Sequence, residues 1–242
     1  MIYLNRVKRR GKCGGKENDG RANRNMLALK FSQKEKKPLT LLCLGAHSDD
    51  IEIGCGGSVL RIFEEYPEIS VYWVVFSANT KRRKEAKESA NLFLAKASRR
   101  EIVIKNFKES FFPYEGEEIK GFFEALKKKI SPDIIFTHYR NDLHQDHRLI
   151  SELTWNSYRD HLILEYEVIK YDGDLGAPNF FVHLDDEICG KKIDFLMDSF
   201  KTQANRDWFT PDTFLSMLRI RGVESRAPER YAEGFYCRKI IL

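Results

Sequence analysis

Long hydrophobic runs are missing from this sequence. None of its 242 residues lies in a stretch approaching the about 18 consecutive apolar residues that a transmembrane helix requires. The N-terminal segment also lacks an apolar stretch like that of a secretory signal peptide. We therefore expect no transmembrane segment and a cytoplasmic location.

Closely spaced cysteines are missing too. The five cysteines are scattered and form no C-x-x-C pair: Cys13, Cys43, Cys55, Cys189 and Cys237. This spacing argues against a zinc ribbon and a disulfide framework, in keeping with a reducing compartment. Cys55 follows Asp50 in the chain and could serve as a metal ligand or a nucleophile, although a packed residue at a helix start is the favoured interpretation.

An excess of positive charge is absent from most of the chain, although the net charge is +5. Residues 1–37 hold 12 Lys and Arg against 3 Asp and Glu, a net charge of +9, and the remainder holds 29 against 33, a net charge of −4. The first 37 residues are therefore predicted to form a basic, disordered N-terminal tail. Residues 38–242 are predicted to form one mildly acidic domain with no nucleic-acid partner. A basic arm for membranes or nucleic acid is the alternative for the tail.

Apolar segments of strand length alternate with amphipathic segments from Pro38 onward. Strands are predicted at 39–45, 69–77, 101–105, 133–138 and from 164, and helices at 56–65, 82–97, 118–130 and 148–161. A strand-like segment near 180, a helix at 187–200 and a last strand near the C-terminus complete the pattern. This alternation predicts a single Rossmann-like α/β domain with a mainly parallel sheet, helices on both faces and strand order 3-2-1-4-5. The active site is expected at the carboxyl ends of the strands.

A first cluster of ionisable residues follows the first predicted strand. It contains His47, Asp49 and Asp50. Burying such groups without a partner costs several kcal/mol or more, so a divalent metal ion bound by His47 and Asp50 would stabilise them. A turn with aspartate caps at the next helix is the alternative.

A second cluster follows the fourth predicted strand and contains Asp142, His144, Asp146 and His147. Zinc sites of hydrolases use about three nitrogen or oxygen ligands from the protein and leave a position open for water. If the first and fourth strands are neighbours, the two clusters meet at one edge of the sheet and complete such a site. His138 and Tyr139, at the end of the fourth strand, are expected to line the rim of the site without a chemical role.

With both clusters placed, a resemblance to a known family can be stated. AHSDDIEIGCGG and DLHQDHR resemble the two signature motifs of the LmbE-like (PIG-L) deacetylases, zinc enzymes that remove N-acetyl groups from glucosamine-containing substrates. The similarity extends over roughly residues 39–242, through KRRKEAKESANLFL, PDIIFTHY and RYAEGFYCRKI. Ser48 and Gln145 stand where the family usually has proline, which affects loop rigidity more than chemistry. The segment FKESFFPYEGEE lacks an aspartate that many relatives use for substrate contact.

The resemblance implies three zinc ligands, namely His47, Asp50 and His147. It also implies that Asp49 is the general base, because zinc lowers the pKa of water to roughly 7 and a neighbouring carboxylate can then take its proton. His144 is the candidate donor for the oxyanion and the leaving amine, with Asp146 holding or tuning its imidazolium. A supporting or solvent-facing histidine is the alternative for His144.

Two adjacent arginines are candidates for substrate binding. Arg82 aligns with the family's R-x-x-E arginine and is expected to bind sugar hydroxyls or a phosphate. Arg83 is the alternative candidate for this contact. Arg82 could also be an exposed arginine at a helix start with no role in binding.

The function expected from this resemblance is zinc-dependent removal of an N-acetyl group from an N-acetylglucosamine-type sugar or its conjugate. Fe2+ is an alternative metal, since the ligand set also accepts it. A metal-dependent hydrolase of an ester or phosphoester, and a nucleotide- or sugar-binding module without catalysis, are the other hypotheses. The expected partner is a small-molecule or glycoconjugate amino-sugar substrate, and a homo-oligomer is left open.

Overall fold

The structure is a computed structural model that describes residues 28–31 and 37–241. The predicted disorder of residues 1–37 falls largely outside the described residues and stays a prediction. Among the helices that the structure describes, none is long and apolar enough to cross a membrane.

The strands and helices alternate along the first two thirds of the chain. The strands are β1 (Leu39–Gly45), β2 (Ile69–Val75), β3 (Arg99–Ile104), β4 (Ile134–His138), β5 (Leu162–Tyr166), β6 (Phe180–Leu184) and β7 (Tyr231–Cys237). The helices are α1 (Asp50–Glu65), α2 (Thr80–Phe93), α3 (Gly116–Lys129), α4 (Gln145–Ser157), α5 (Asp186–Ser199) and α6 (Pro211–Glu224). Two short 3-10 turns cover Phe112–Tyr114 and Lys201–Gln203.

The seven strands form one mixed sheet in the order β3-β2-β1-β4-β5-β7-β6. The first five strands are parallel, whereas β7 is antiparallel to both β5 and β6. The predicted α/β class and the order 3-2-1-4-5 are confirmed, and two antiparallel strands extend the sheet.

Strands β1 and β4 end side by side. Cys43 pairs with Phe136, so Gly45 and His138, each two residues further along, end at the same level. The connection after β1 leads to β2 on one side, and the connection after β4 leads to β5 on the other, which makes this point the topological switch of an open α/β sheet. The loops after β1 and β4 therefore meet at one edge.

The hydrophobic core explains why these segments become buried strands. The apolar side chains of the central strands are almost wholly excluded from solvent, and they pack with α3 and α4 in one cluster that includes Leu42, Leu44, Val74, Phe76, Phe123, Ile135 and Ile163. A parallel strand covered on both faces needs such a continuous apolar run.

Helix α1 begins at Asp50 and not at the predicted Gly56. The glycines after Asp50 therefore lie inside the helix, where they permit close packing. A Cβ atom on Gly54 would lie 2.0 Å from Cδ2 of Tyr166, which is well inside contact distance. The tight turn after β1 thus places Asp50 in the first turn of α1.

Helix α6 was not predicted. Its start has the usual signals, since the Thr210 side chain accepts from the N–H of Thr213 and Pro211 occupies the first turn. Its buried side has few apolar residues and includes Arg221 and Gly222, so the sequence shows no regular apolar stripe. Its packing against β7 decides its position.

A buried ion pair ties the C-terminal elements to α1. Lys192 in α5 and Glu233 in β7 are both almost fully buried, and Lys192 Nζ lies 2.5 Å from Glu233 Oε1. Lys192 also donates to the carbonyl of Ile53, and Glu233 accepts from the N–H groups of Gly57 and Ser58. The C-terminal part of the chain therefore stabilises the position of α1, the helix that begins with Asp50.

Candidate active site

Three donor atoms form a nearly equilateral triangle where β1 and β4 end. His47 Nδ1 lies 3.2 Å from His147 Nε2 and 3.4 Å from Asp50 Oδ2, and the third side, from His147 Nε2 to Asp50 Oδ2, is 3.5 Å. A tetrahedral zinc ion with bonds of about 2.0–2.1 Å has its ligand atoms roughly 3.3 Å apart. The three residues named from the sequence therefore fit an ion of this size.

Local hydrogen bonds orient this triangle. The N–H of His47 donates to Asp50 Oδ2 at 2.6 Å and closes the turn between β1 and α1. His147 lies in the first turn of α4, and its Nδ1 lies 2.9 Å from Asp142 Oδ2. Because an ionised carboxylate only accepts, Nδ1 carries the proton and the Nε2 lone pair faces the other two residues.

The charges around the triangle favour a cation there. Burial disfavours ionisation of Asp50, but the imidazoles of His147, His47 and His138 outweigh it and hold the pKa of its carboxyl well below the usual value. Burial also opposes the charging of His47, yet Asp50 and Asp146 raise its pKa to about 10. Burial, together with His138, lowers the pKa of His147 to about 3. The site therefore attracts positive charge at His47, and a bound metal ion would take the place of that proton because only a neutral imidazole ligates.

Asp49 lies beside the triangle but contacts a different set of groups. Its Oδ1 accepts from Arg82 Nη2 at 2.7 Å, and its Oδ2 accepts from Gln203 Nε2 at 3.0 Å. The side chain is almost fully buried, and burial raises its pKa although Arg82 acts in the opposite direction. The carboxylate lines the same cavity as the triangle without joining it.

The structure separates the two candidate arginines. Asn79 caps α2 and accepts from the N–H of Arg82, which places Arg82 in the first turn and toward the cavity. Arg83 turns away and donates to the carbonyls of Ile104 and Lys105, at 2.5 and 3.0 Å. Of the two adjacent arginines, Arg82 lines the cavity, whereas Arg83 connects α2 to the end of β3.

His144 caps α4 and lies at the cavity wall. Its Nδ1 accepts from the N–H of Asp146 at 3.2 Å, and its ring lies 4.8 Å from that of His47 and 4.6 Å from that of His147. Burial and the neighbouring His47 lower its pKa. With Nδ1 accepting, the proton of the neutral ring lies on Nε2, where it can be donated.

The Asp146 carboxylate lies against His47. Its Oδ2 is 3.1 Å from His47 Nε2, and its two oxygens accept the N–H groups of Ser110 and Phe112 at 2.6 and 3.1 Å. The hydrogen bond to His144 comes from the Asp146 backbone. Asp146 therefore orients the imidazole of His47 through its side chain and contacts His144 through its main chain.

His138 lies beneath the triangle, fully buried, and not at the rim where the sequence placed it. Its Nε2 accepts from the N–H of Ala46 at 2.9 Å, and its ring stacks on His147 with centroids 3.9 Å apart. Two other trios could hold an ion, Asp50 with His138 and His147, and His47 with His144 and His147. Because the N–H of Ala46 already bonds to the His138 lone pair, His47 is better suited than His138 to complete a site with Asp50 and His147.

Lys170, which the sequence did not single out, supports this site from the loop after β5. Its Nζ lies 3.0 Å from Asp142 Oδ2 and 2.5 Å from Asp174 Oδ2. Lys170 therefore fixes the carboxylate that orients His147. The irregular sequence around it gave no signal for this role.

The site opens into a cavity of about 320 Å3. Its lining also includes Glu109, Tyr171 and Arg206, which are exposed, and the half-buried Trp208. The size and the mix of aromatic and polar groups are typical of a small-molecule site.

Comparisons with known proteins agree with this description. The family model described as PIG-L, GlcNAc-PI de-N-acetylase, matches residues 42–158, which include both motifs. The conserved protein TT1542 from Thermus thermophilus has 19% sequence identity and a TM-score of 0.66, over 84% of this chain and 96% of that one. The N,N'-diacetylchitobiose deacetylase from Pyrococcus horikoshii has 22% identity and a TM-score of 0.62, over 82% and 83% of the two chains.

The same fold also occurs with another activity. The 4-carboxy-2-hydroxymuconate hydratase GalB from Pseudomonas putida KT2440 has 15% identity and a TM-score of 0.67, over 84% of this chain and 98% of that one. Similarity of fold alone therefore does not decide the reaction, which has to be argued from the site. The PIG-L family model thus matches the segment that carries both motifs, residues 42–158, and the chain shares its fold with the similar structures.

Proposed function

We propose that this protein is a zinc-dependent hydrolase that removes an N-acetyl group from an N-acetylglucosamine-type sugar or its conjugate. The observation that carries this proposal is the triangle of His47, Asp50 and His147 with sides of 3.2 to 3.5 Å, next to a separate buried carboxylate in the same cavity. A metal site and an adjacent base are the two elements that amide hydrolysis by this family's chemistry requires.

The triangle would hold the metal, for which Fe2+ is the alternative to zinc. When bound, such an ion would polarise the amide carbonyl and lower the pKa of the attacking water. Asp142 and Asp146 keep the two imidazoles in the orientation that ligation requires, because each accepts from the ring nitrogen that faces away from the triangle.

Asp49 serves as the general base and His144 as the general acid. Asp49 takes a proton from water as the water oxygen attacks the acetyl carbon. His144 then gives a proton to the amide nitrogen as the carbon–nitrogen bond breaks, which releases acetate and the amino sugar. His144 suits this role because it lines the cavity with Nε2 free of the capping bond.

Arg82 is the proposed substrate-binding residue. Its side chain lines the cavity, and its Nε is buried without a hydrogen-bond partner among residues 28–31 and 37–241. A sugar hydroxyl in the cavity would satisfy a donor of this group, because a buried donor without an acceptor is unfavourable.

Hydrolysis of a phosphoester fits the cavity less well. A phosphate needs cations that are free to pair with it close to the metal, whereas Arg82 is paired with Asp49, and Lys170 with Asp142 and Asp174. Arg206 is the one cation of the lining without an ion pair among the described residues, and its side chain is exposed. The substrate class proposed is therefore a neutral amide on a sugar, and the cytoplasmic location predicted from the sequence is retained as part of the proposal.

The test is release of primary amine from N-acetylglucosamine, N,N'-diacetylchitobiose and a small set of glycoconjugates. The protein is stripped of metal with a chelator and then given one equivalent of zinc or Fe2+. We expect no amine release after stripping and recovery on metal addition. Amine release that persists in the stripped protein, or its absence across the set while zinc is bound in one-to-one ratio, would contradict the proposal.

A further inference from the structure

We propose that Gln203 is a positioning residue that holds the general base Asp49, and this inference rests on the role proposed for Asp49. Gln203 is almost fully buried and lies at the end of the 3-10 turn that follows α5. Its Nε2 donates to Asp49 Oδ2 at 3.0 Å. Because an ionised carboxylate can only accept, the amide nitrogen is the end of the side chain that faces it.

The two oxygens of Asp49 are held from two different elements. Arg82 of α2 donates to Oδ1, and Gln203 donates to Oδ2. One donor on each oxygen fixes the rotation of the carboxylate about its last bond. Each carboxylate oxygen can accept two hydrogen bonds and here accepts one. A lone pair therefore remains on each oxygen to take a proton. A base held in this way keeps its direction toward the water that it must deprotonate.

The position of Gln203 is itself fixed by α2. Glu85 lies one turn after Arg82 on the same helix and is buried. Its Oε1 accepts from the N–H of Thr202 at 3.0 Å, and its Oε2 accepts from Thr202 Oγ1 at 2.5 Å. A single helix therefore supplies one donor to Asp49 directly and anchors the turn that supplies the other.

Arg82 and Gln203, the two donors to Asp49, differ in their proposed contact with the substrate. Arg82 is also the proposed contact for the substrate, so binding of a sugar would compete with Asp49 for its guanidinium. The Gln203 side chain also lines the cavity, but its one hydrogen bond among the described residues is the bond to Asp49. We infer that Gln203 keeps Asp49 oriented while Arg82 engages the substrate.

The test compares Gln203→Leu with Asn205→Leu in full-length protein loaded with one equivalent of zinc. Asn205 is exposed, lies two residues further along and does not line the cavity, so it controls for replacing an amide by leucine. We expect Gln203→Leu to lower kcat for amine release about 10- to 100-fold, by analogy with the range seen when a hydrogen-bond partner of a metal ligand is removed. KM and the zinc content should stay unchanged, and Asn205→Leu should leave all three values unchanged.

Two further variants separate positioning from a general structural effect. Gln203→Glu keeps the size of the side chain but removes the donor, so it should lose activity as Gln203→Leu does. In the Asp49→Asn protein, Gln203→Leu should cause little further loss of the residual rate, because residues that act as a unit are not additive. The inference would be overturned if the double variant lost the product of the two single losses in rate. It would also be overturned if Gln203→Leu lowered the zinc content and left kcat unchanged.

A readout without substrate keeps the inference separate from the proposed function. In a 15N spectrum, the side-chain amide signal that Gln203→Leu removes should shift in Asp49→Ala and stay in place in Asn205→Leu. If the signal is unmoved in Asp49→Ala, Gln203 does not hold Asp49. If the signal shifts but no N-acetyl sugar is hydrolysed, the contact stands and the proposed deacetylation fails.

Discussion

Residues 42–158 and residues 162–237 contribute to the site in different ways. The first region carries both motifs and supplies the three groups of the triangle, Asp49 and Arg82. The second region supplies supporting groups, since Lys170 bonds to Asp142 and Gln203 bonds to Asp49. It also supports α1 through Lys192 and Glu233.

The two regions differ because the first supplies groups that would bind the metal or take a proton, whereas the second supplies groups that support them. A metal ligand or a base is restricted to a few residue types, and short loops after parallel strands bring such residues together. A supporting residue needs only a donor or a charge at the correct distance, and many residue types and chain paths can provide it. The first kind of group leaves a pattern in the sequence, and the second kind leaves almost none.

The largest expected effect, on zinc binding and on amine release, comes from replacing one of the three proposed metal ligands. His147→Asn should weaken zinc binding more than the roughly 10- to 100-fold that loss of an orienting partner causes, because a ligand itself is lost. Amine release should fall to the level of the metal-stripped protein. Zinc content measured after dialysis checks this, with His161→Asn, a half-buried histidine outside the cavity, as the control. Full zinc occupancy in His147→Asn would show that another trio holds the metal.

The next largest effect is on folding and comes from the second region. Lys192→Met should destabilise the protein by about 3–5 kcal/mol, because it leaves the buried Glu233 carboxylate without its cation. Urea unfolding measures this. Lys191→Met is the matched control, since the neighbouring Lys191 is far more exposed and pairs with Glu187 at the surface. Equal effects for the two variants would contradict a special role for the buried pair.

How much of this could be predicted from the sequence differs between the two regions. The end of β1 and the approximate position of β4 came from unbroken apolar runs, and the order 3-2-1-4-5 followed from the alternation of elements. Helix α6 was missed because its buried side mixes Phe214 and Leu218 with Arg221 and Gly222. No periodic apolar stripe marks such a helix.

The site shows the same division. The structure brings together His47, Asp50 and His147, whose residue types and spacing predict a metal site, and their role as ligands stays a prediction. The contact between Gln203 and Asp49 joins residues 154 positions apart, and its glutamine has no distinguishing neighbours in the sequence. Only the folded arrangement of α2 and the turn after α5 reveals it.

A smaller effect is expected where the second region meets the first. Asp142→Asn should weaken zinc affinity about 10- to 100-fold, because the amide supports the His147 tautomer less strongly than a carboxylate does. A zinc titration against a competing chelator measures the change. Asp160→Asn, whose carboxylate bonds to His161 at the surface, is the control and should leave the affinity unchanged.

The smallest effect is expected for Lys170→Met. Lys170 acts on the metal only through Asp142, so zinc affinity should fall by less than about tenfold, the lower limit for a direct orienting partner. The same titration measures it, with the exposed Lys201→Met as the control. A loss larger than that of Asp142→Asn would mean that Lys170 supports the site by another route.

The most direct test of the proposed chemistry is the rate of amine release by Asp49→Asn at zinc occupancy matched to the wild type. Asp49 contacts Arg82 and Gln203 and is not a corner of the triangle, so its amide should leave the metal in place. We expect one equivalent of zinc and a rate lower by roughly 10²- to 10⁴-fold, the usual contribution of a general base. An Asp49→Asn protein that binds zinc and hydrolyses the amide at the wild-type rate would show that Asp49 is not the base.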